Sequence, residues 1–389
     1  MRQATQGLKF AALWAEGWLF DHALPLWREA GHDRDAGGFH DRLDLDGRPV
    51  DLPKRVRVQA RQIYVFGQAG AMGWNGDWRG AMRAGLAFLE AYRREDGLYR
   101  GTVARDGSAI DDAADLYDQA FVLFALAAAQ RAFPDEPGHE DRATRLLTRL
   151  IERHAHAGGG FAETDGRPGL RANPHMHMLE ALLAWTELSP GSLMNRVACG
   201  LVPLALDCMI DGRTGAVVEY FDDRWRPMPD ENGRVREPGH QFEWAFLLSE
   251  ADRLLGTDTR FASDRLYRFG RQWGICDGRA LFSVDPDGKV IDASSRLWAQ
   301  TERLRTAVAR RCEQDAIDSF ECVRAFLDVG TPGLWHDRIT PEGEWVEEAV
   351  PASSLYHIMT GFQTLIAWDA AQSQRPVHPQ QDIRIGNSL

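Results

Sequence analysis

The sequence has little that would mark a membrane-spanning, disulfide-stapled or nucleotide-binding protein. Only five of its 389 residues are cysteine (Cys199, Cys208, Cys276, Cys312, Cys322), an odd number with no C-x-x-C spacing. That argues against a disulfide framework or a zinc ribbon and fits buried thiols in a reducing cytosol. The longest strongly apolar run, Ala120 to Ala129, has ten residues, about half of a membrane span. Met1-Arg2-Gln3-Ala4-Thr5 does not lead a basic stretch into an apolar core, so no secretory leader is read there. No run of five like charges marks an interaction tail. The net charge of −12 disfavours polyanionic partners, nucleic acid and anionic membranes alike. The expectation is a cytoplasmic protein with no nucleic-acid or membrane partner. Phosphate-loop, dinucleotide-binding and G-x-S-x-G signatures are all missing.

What is present is a large soluble composition, 44% hydrophobic and 26% charged, with 13 tryptophans. A chain of this length buries about three quarters of its surface and needs no metal or disulfide to fold. The tryptophans chiefly indicate a large core. They also stack on sugar rings, which raises a carbohydrate hypothesis slightly.

A repeat runs through the chain. Six Gly- and Asp-rich aromatic segments begin at Gly37, Gly97, Gly158, Gly215, Gly278 and Gly333, at intervals of 60, 61, 57, 63 and 55 residues. Most read as an aromatic strand, a D-G or E-G turn and a return strand. The fourth lacks the D-G turn. Between them, apolar residues recur at helical spacing. One helix is predicted after each hairpin, over about 57–74, 115–133, 174–188, 240–254, 296–311 and 354–372. A second is predicted over about 78–93, 138–155, 191–210, 258–273 and 314–329, and a helix over 5–31 completes the sixth pair. Six pairs suffice to close a ring, whereas an open solenoid would need polar caps. The predicted fold is an all-α (α/α)6 barrel with short β-hairpins, one domain over residues 1–372, followed by a polar tail over 373–389.

The starts of the first helices carry the reactive residues. Arg61, Tyr117, His177, His240, Trp298 and His357 are spaced by 56, 60, 63, 58 and 59 residues, so equivalent positions and convergence at one mouth are expected. Helix N-termini would gather there too and favour a developing anion. His177/Glu180 and His240/Glu243 are both H-x-x-E, with both groups on one helix face; the carboxylate could orient its own imidazole or hold a substrate hydroxyl. A metal set drawn from His175, His177, His240, Glu180 and Glu243 is conceivable, but no H-E-x-x-H or zinc-type Cys/His spacing occurs. No metal and no cofactor are expected. His154 and His156, like His22, His32, His139 and His378, read as surface or helix-end residues, while His40 and His336 occupy matching hairpin positions that could line the mouth. Histidine-based proton transfer remains as the chemistry.

Six motifs in this order resemble the N-acylglucosamine 2-epimerase family across nearly the whole chain: Q-A-R-Q (Gln59–Gln62), Y-D-Q-A-F (Tyr117–Phe121), N-P-H-M-H-M-L-E (Asn173–Glu180), G-H-Q-F-E-W (Gly239–Trp244), W-A-Q-T-E (Trp298–Glu302) and S-L-Y-H (Ser354–His357). The resemblance implies an (α/α)6 barrel acting on reducing sugars without a metal. It places the two acid/base histidines on His240 and His357 and the sugar-binding arginine on Arg61. A third histidine with its carboxylate falls on His177 and Glu180, a further carboxylate on Glu243, and a stacking aromatic on Trp298. Tyr117, Asn173 and Gln300 stand in the same motifs and complete the candidate substrate-binding set. The stretch around His357 looks more like mannose isomerases than epimerases.

The expected reaction is interconversion of D-mannose and D-fructose through a cis-enediolate, in a monomer or homodimer that binds a monosaccharide. His357 would take the C2 proton and His240 would handle ring opening or the second transfer. Three alternatives stand beside it. A sugar 2-epimerase would return the proton to C2. A glycoside hydrolase would use carboxylates among Asp115, Asp118, Glu180 and Glu243. A binding protein would do neither.

Overall fold

The computed structural model describes residues 2–163 and 168–373. The turn of the third hairpin and all but the first residue of the expected tail, His378 included, lie outside the described residues. The predicted helices are present with ends shifted by a few residues. Six inner helices are α3 (Val56–Ala71), α5 (Leu116–Ala132), α7 (Ala172–Leu188), α9 (Pro238–Leu255), α11 (Leu297–Ala309) and α13 (Ser354–Ser373). The outer ring comprises α4 (Trp78–Phe88), α6 (His139–His154), α8 (Leu193–Leu204), α10 (Arg260–Trp273) and α12 (Glu313–Phe326). Its sixth member is α1 (Arg2–Gly17), which runs through a π-helical turn into α2 (Leu24–Glu29). None of the described helices is long and apolar enough to cross a membrane.

Sequence decides which helix goes where. Helix α5 reads LYDQAFVLFALAAAQRA and is buried almost all round, as a helix packed on every side must be. Helix α6 buries only the stripe Ala143, Leu146, Leu147 and Leu150 besides His139 and shows charge to solvent. The inner helices touch in the order α3, α5, α7, α9, α11, α13 and back to α3, and each packs on its own outer partner. The ring is therefore closed, an (α/α)6 barrel.

The fifth hairpin is the predicted self-contained unit, with Ser283–Val284 paired to Val290–Asp292; the other hairpins are tied differently. Within each, mostly isolated bridges such as His32 to Phe39 and Leu43 to Pro49 hold the turn. The short strands instead join neighbouring repeats: Lys54–Arg55 pairs with Thr102–Val103, Leu170–Arg171 with Tyr220–Phe221, and Ser295–Arg296 with Arg338–Ile339. Arg42–Leu43 pairs with Val350–Pro351 and seals the first repeat to the last. The fourth hairpin, without D-G, makes the same kind of turn with Trp225 at φ 58° where other repeats place Gly47, Gly107, Gly288 and Gly343. An L-residue there costs about 1–2 kcal/mol. Trp225 offsets it by packing against Phe221 and His175 and donating its indole N–H to the Gly159 carbonyl at 3.2 Å.

A recurring side-chain clamp sets the register of the repeats. Gln59 accepts from the Phe39 N–H and donates to its carbonyl, both at 2.8 Å. Gln119 does the same to Tyr99, Gln241 to Val217 and Gln300 to Ala280. His175 takes that place in the third repeat, its Nε2 accepting from the Phe161 N–H and its Nδ1–H donating to the Arg171 carbonyl. Each clamp satisfies buried backbone groups that would otherwise cost about 1–3 kcal/mol each.

Candidate active site

The clamps correct the expected equivalence of the six reactive residues. Counting two residues on from each clamp gives Arg61, Phe121, His177, Glu243 and Glu302. His240 lies one residue before its clamp, and Tyr117 and Trp298 two before theirs, so these three are not equivalent to Arg61 and His177. They converge nonetheless, because all stand within the first turns of inner helices whose N-termini share one end of the barrel. A cavity of about 300 Å³ opens there, lined by Arg61, Tyr117, Asn173, His177, His240, Glu243, Trp298 and His357, with Arg55, Arg57, Glu237, Phe282, Arg296, Ser353 and Ser354 around them.

Nine of the ten residues expected to act on substrate contribute to this centre. Eight are the lining residues named first, and Glu180 lies just behind them, bonded to His177 at 3.2 Å. Gln300 does not belong to it: it is wholly buried and spends its amide on Ala280 and the Arg296 carbonyl. His175 is likewise a backbone clamp, not a candidate metal ligand. Neither His40 nor His336 lines the mouth. His40 sits against Asp33 at 3.8 Å, and His336 stacks on Trp345 at 4.7 Å between ring centres.

Each central imidazole is held through Nδ1 by a buried glutamate. His357 meets Glu302 at 2.8 Å, His240 meets Glu219 at 2.9 Å, and His177 meets Glu180. Of the two roles expected for H-x-x-E, orienting its own imidazole holds for Glu180 with His177 but not for Glu243 with His240. His240 turns instead to Glu219 on the preceding hairpin and to Glu237, one turn upstream, at 3.5 Å. Glu219, Glu237 and Arg305 were not legible as site residues, and Tyr356 stood in S-L-Y-H without a role. Glu302 was visible in W-A-Q-T-E, and its register with His177 and Glu243 is the signal that singles it out.

These surroundings give the histidines opposite characters. Burial alone would lower the pKa of His240, but the charges of Glu219 and Glu237 raise it to about 10. His240 is therefore an imidazolium at neutral pH. Burial, helped by the positive charge of Arg61, drives His357 well below the usual imidazole range, so it is a neutral base. Burial also lowers His177 against the pull of Glu180. Between them lies Trp298, its ring 5.0 Å from that of His240 and 5.8 Å from that of His357. Gly239 makes room for it: a Cβ there would come within 2.5 Å of the indole.

Arg61 donates to the Tyr117 hydroxyl and the Ser353 carbonyl and has no carboxylate partner among the described residues. Behind the histidines, Arg305 bridges Glu180 and Glu302, each at 3.4 Å, while Tyr356 donates to Glu180. Arg305 and Glu180 are also the floor of a second cavity, about 490 Å³, at the C-terminal end of the inner helices. Three trios of possible metal donors exist among the described residues: His177/Glu180/Glu243, Glu219/Glu237/His240 and Glu243/Glu302/His357. Each contains a His–Glu pair that already shares a proton in a hydrogen bond.

Comparison with known proteins accords with this geometry. The sequence model of the N-acylglucosamine 2-epimerase (GlcNAc 2-epimerase) family matches residues 37–361. A Rhizobium meliloti protein named mannose-6-phosphate isomerase is 39% identical over 371 residues, 90% of this chain and 95% of that protein. A Pseudomonas cannabina protein named D-mannose isomerase is 26% identical, covering 77% of this chain and 80% of its own length. Among solved structures, cellobiose 2-epimerase from Spirochaeta thermophila superimposes with a TM-score of 0.84 at 21% identity, over 94% of this chain and 98% of that one. The chain belongs to the N-acylglucosamine 2-epimerase family and is a sugar isomerase or 2-epimerase.

Proposed function

We propose that the protein is an aldose–ketose isomerase that interconverts D-mannose and D-fructose. The observation that carries this reading is the unequal setting of two imidazoles on either side of Trp298, His357 against Glu302 alone and His240 against both Glu219 and Glu237, which favours a neutral His357 and a protonated His240. The sugar stacks on Trp298. His240 gives a proton to the ring oxygen O5 and takes up the O1 proton as the hemiacetal opens. The free Nε2 of His357 then removes the C2 proton. The C–H electron pair becomes the C1–C2 double bond, and the carbonyl pair moves onto O1. Arg61 and the gathered helix N-termini supply positive potential for that oxygen. The O2 proton then passes to O1, and return of the carbon-bound proton to C1 by the same imidazole, as the O2 electron pair closes to a carbonyl, gives the ketose.

Return to C2 from the opposite face would give the epimer. His240 is poorly suited to that step. Two carboxylates at its Nδ1 raise its proton affinity, which makes it a weaker acid toward carbon, where proton transfer is slow, than toward the sugar oxygens. That asymmetry favours a single-base isomerase over a two-base epimerase.

A second reading concerns the substrate's charge. The Rhizobium meliloti relative is named for a sugar phosphate, and four arginines line the cavity. Three are already paired: Arg55 with Asp41, Arg57 with Asp118 and Arg296 with Asp337. This pairing favours the uncharged sugar. The test is proton NMR of products after separate incubation with D-mannose and D-mannose 6-phosphate. Fructose supports the proposal, glucose the epimerase and fructose 6-phosphate the second reading; no turnover of either refutes both. His357→Ala and His240→Ala should each lower kcat by about 10²–10⁴-fold.

A further inference from the structure

Glu243 is the one central glutamate that holds nothing. It lines the front cavity with 1% of its surface exposed. Neither carboxyl oxygen has a hydrogen-bond partner among the described residues. The nearest imidazole nitrogen, His177 Nδ1, is 3.8 Å away and already committed to Glu180 at 3.2 Å. Glu180 lies with His177 on one side and Glu302 with His357 on the other, their donor atoms within 4.8 Å. Arg305, the cation that could answer Glu243, is shared by those two carboxylates. An ionised Glu243 would be a desolvated anion beside two like charges, a state that proteins avoid by keeping the proton.

We propose that Glu243 is kept as a neutral carboxylic acid whose O–H donates a hydrogen bond to the sugar oxygen that turns negative as the C2 proton leaves. The inference rests on the enolisation reading of this site. No proton leaves Glu243 during the step: His357 takes the C2 proton, the electron pair ends on O1, and the hydrogen bond from Glu243 strengthens as that charge grows. A carboxylate in the same place would repel it. Fixed donors aimed at a developing oxyanion in a dry site are worth about 10²–10³ in rate, and a buried neutral carboxylic acid can serve as such a donor. Burial and the charges of Glu302 and Glu180, which outweigh His240 and Arg305, raise the affinity of Glu243 for its proton in the same direction.

The test is the infrared difference spectrum of the sugar-free full-length enzyme, wild type minus Glu243→Gln, at about pH 8.5. At that pH Glu237 and Glu302, both raised to about 7, are largely ionised. A carboxylic-acid carbonyl band lost with the substitution is expected; loss of a carboxylate band overturns the proposal. If the variant does not fold, wild type carrying carboxyl-13C glutamate should still show an isotope-shifted acid band at this pH, and its absence overturns the proposal. In turnover, Glu243→Gln, which retains a donor, should lose no more than about tenfold in kcat, whereas Glu243→Ala should lose about 10²–10³-fold. Equal losses overturn the donor role. The spectra need no sugar, so failure of the sugar assignment and failure of this proposal are read separately.

Discussion

Glu219→Gln keeps the shape and the hydrogen-bonding capacity at His240 Nδ1 but removes a negative charge 2.9 Å away. The elevation of His240 from 6.5 to about 10 corresponds to about 5 kcal/mol in favour of the protonated ring. Glu219 is the larger of its two nearest anions, Glu237 at 3.5 Å the smaller. An opposite charge at this distance is worth about 1–3 pKa units, and removing it lowers His240 by about that much. Glu237 and Glu243 remain as acidic neighbours, and Arg296, in the strand just before α11, faces Glu237. The assay is kcat against pH from about 6 to 10. The alkaline limb should move down by about two units, with turnover below about pH 7 retained within a few-fold. The stability effect has the same origin. A His pKa raised on folding stabilises fully below the unfolded value of 6.5 and loses this as pH rises toward 10. The wild type should therefore exceed the variant in Tm by most below about pH 6.5, with the gap closing toward pH 10. An unmoved alkaline limb would refute the argument that Glu219 keeps His240 charged.

Three further outcomes follow from the geometry. Gln300→Leu should cost about 3 kcal/mol of stability by orphaning the Ala280 backbone groups, yet leave KM for the sugar unchanged; a raised KM at unchanged Tm would restore it to the substrate-binding set. Gly239→Ala should lower kcat/KM by about 10²-fold, because a Cβ would push the Trp298 indole from its seat, and a variant with wild-type kinetics would show that the indole position does not matter. Dialysis against EDTA should leave turnover unchanged, since the donors of each candidate metal trio include a hydrogen-bonded His–Glu pair; activity lost and then recovered with a divalent ion would contradict this.

Much of the fold was legible because its signals are local. Helical spacing marks α5 and α6 alike, and Asp-Gly or Glu-Gly turns mark five of the six segments that recur near every 60 residues. The fourth hairpin escaped the pattern because Trp225 adopts the conformation that Gly takes elsewhere. Gln300 was read as a substrate contact, which differs from its role. Gln59, Gln119, Gln241 and Gln300 recur one per repeat, a pattern compatible with a lined mouth, and only their contacts reveal them as backbone clamps. Glu219 was hidden in a strand that reads as apolar and aromatic, with nothing in V-V-E-Y-F to point it toward a histidine.

The chain's own order of residues determined that six helical pairs would form and that arginine, histidine, tryptophan and glutamate would arrive at one end of the ring, since periodicity and turn chemistry act over a few residues. Tertiary structure alone decided what each imidazole can do. His240 meets Glu219 across 21 residues of sequence and His357 meets Glu302 across 55, and the resulting acid and base differ because proton affinity answers to burial and to charges a few ångströms away. Two histidines that look alike in the sequence thus take opposite charge states in one cavity.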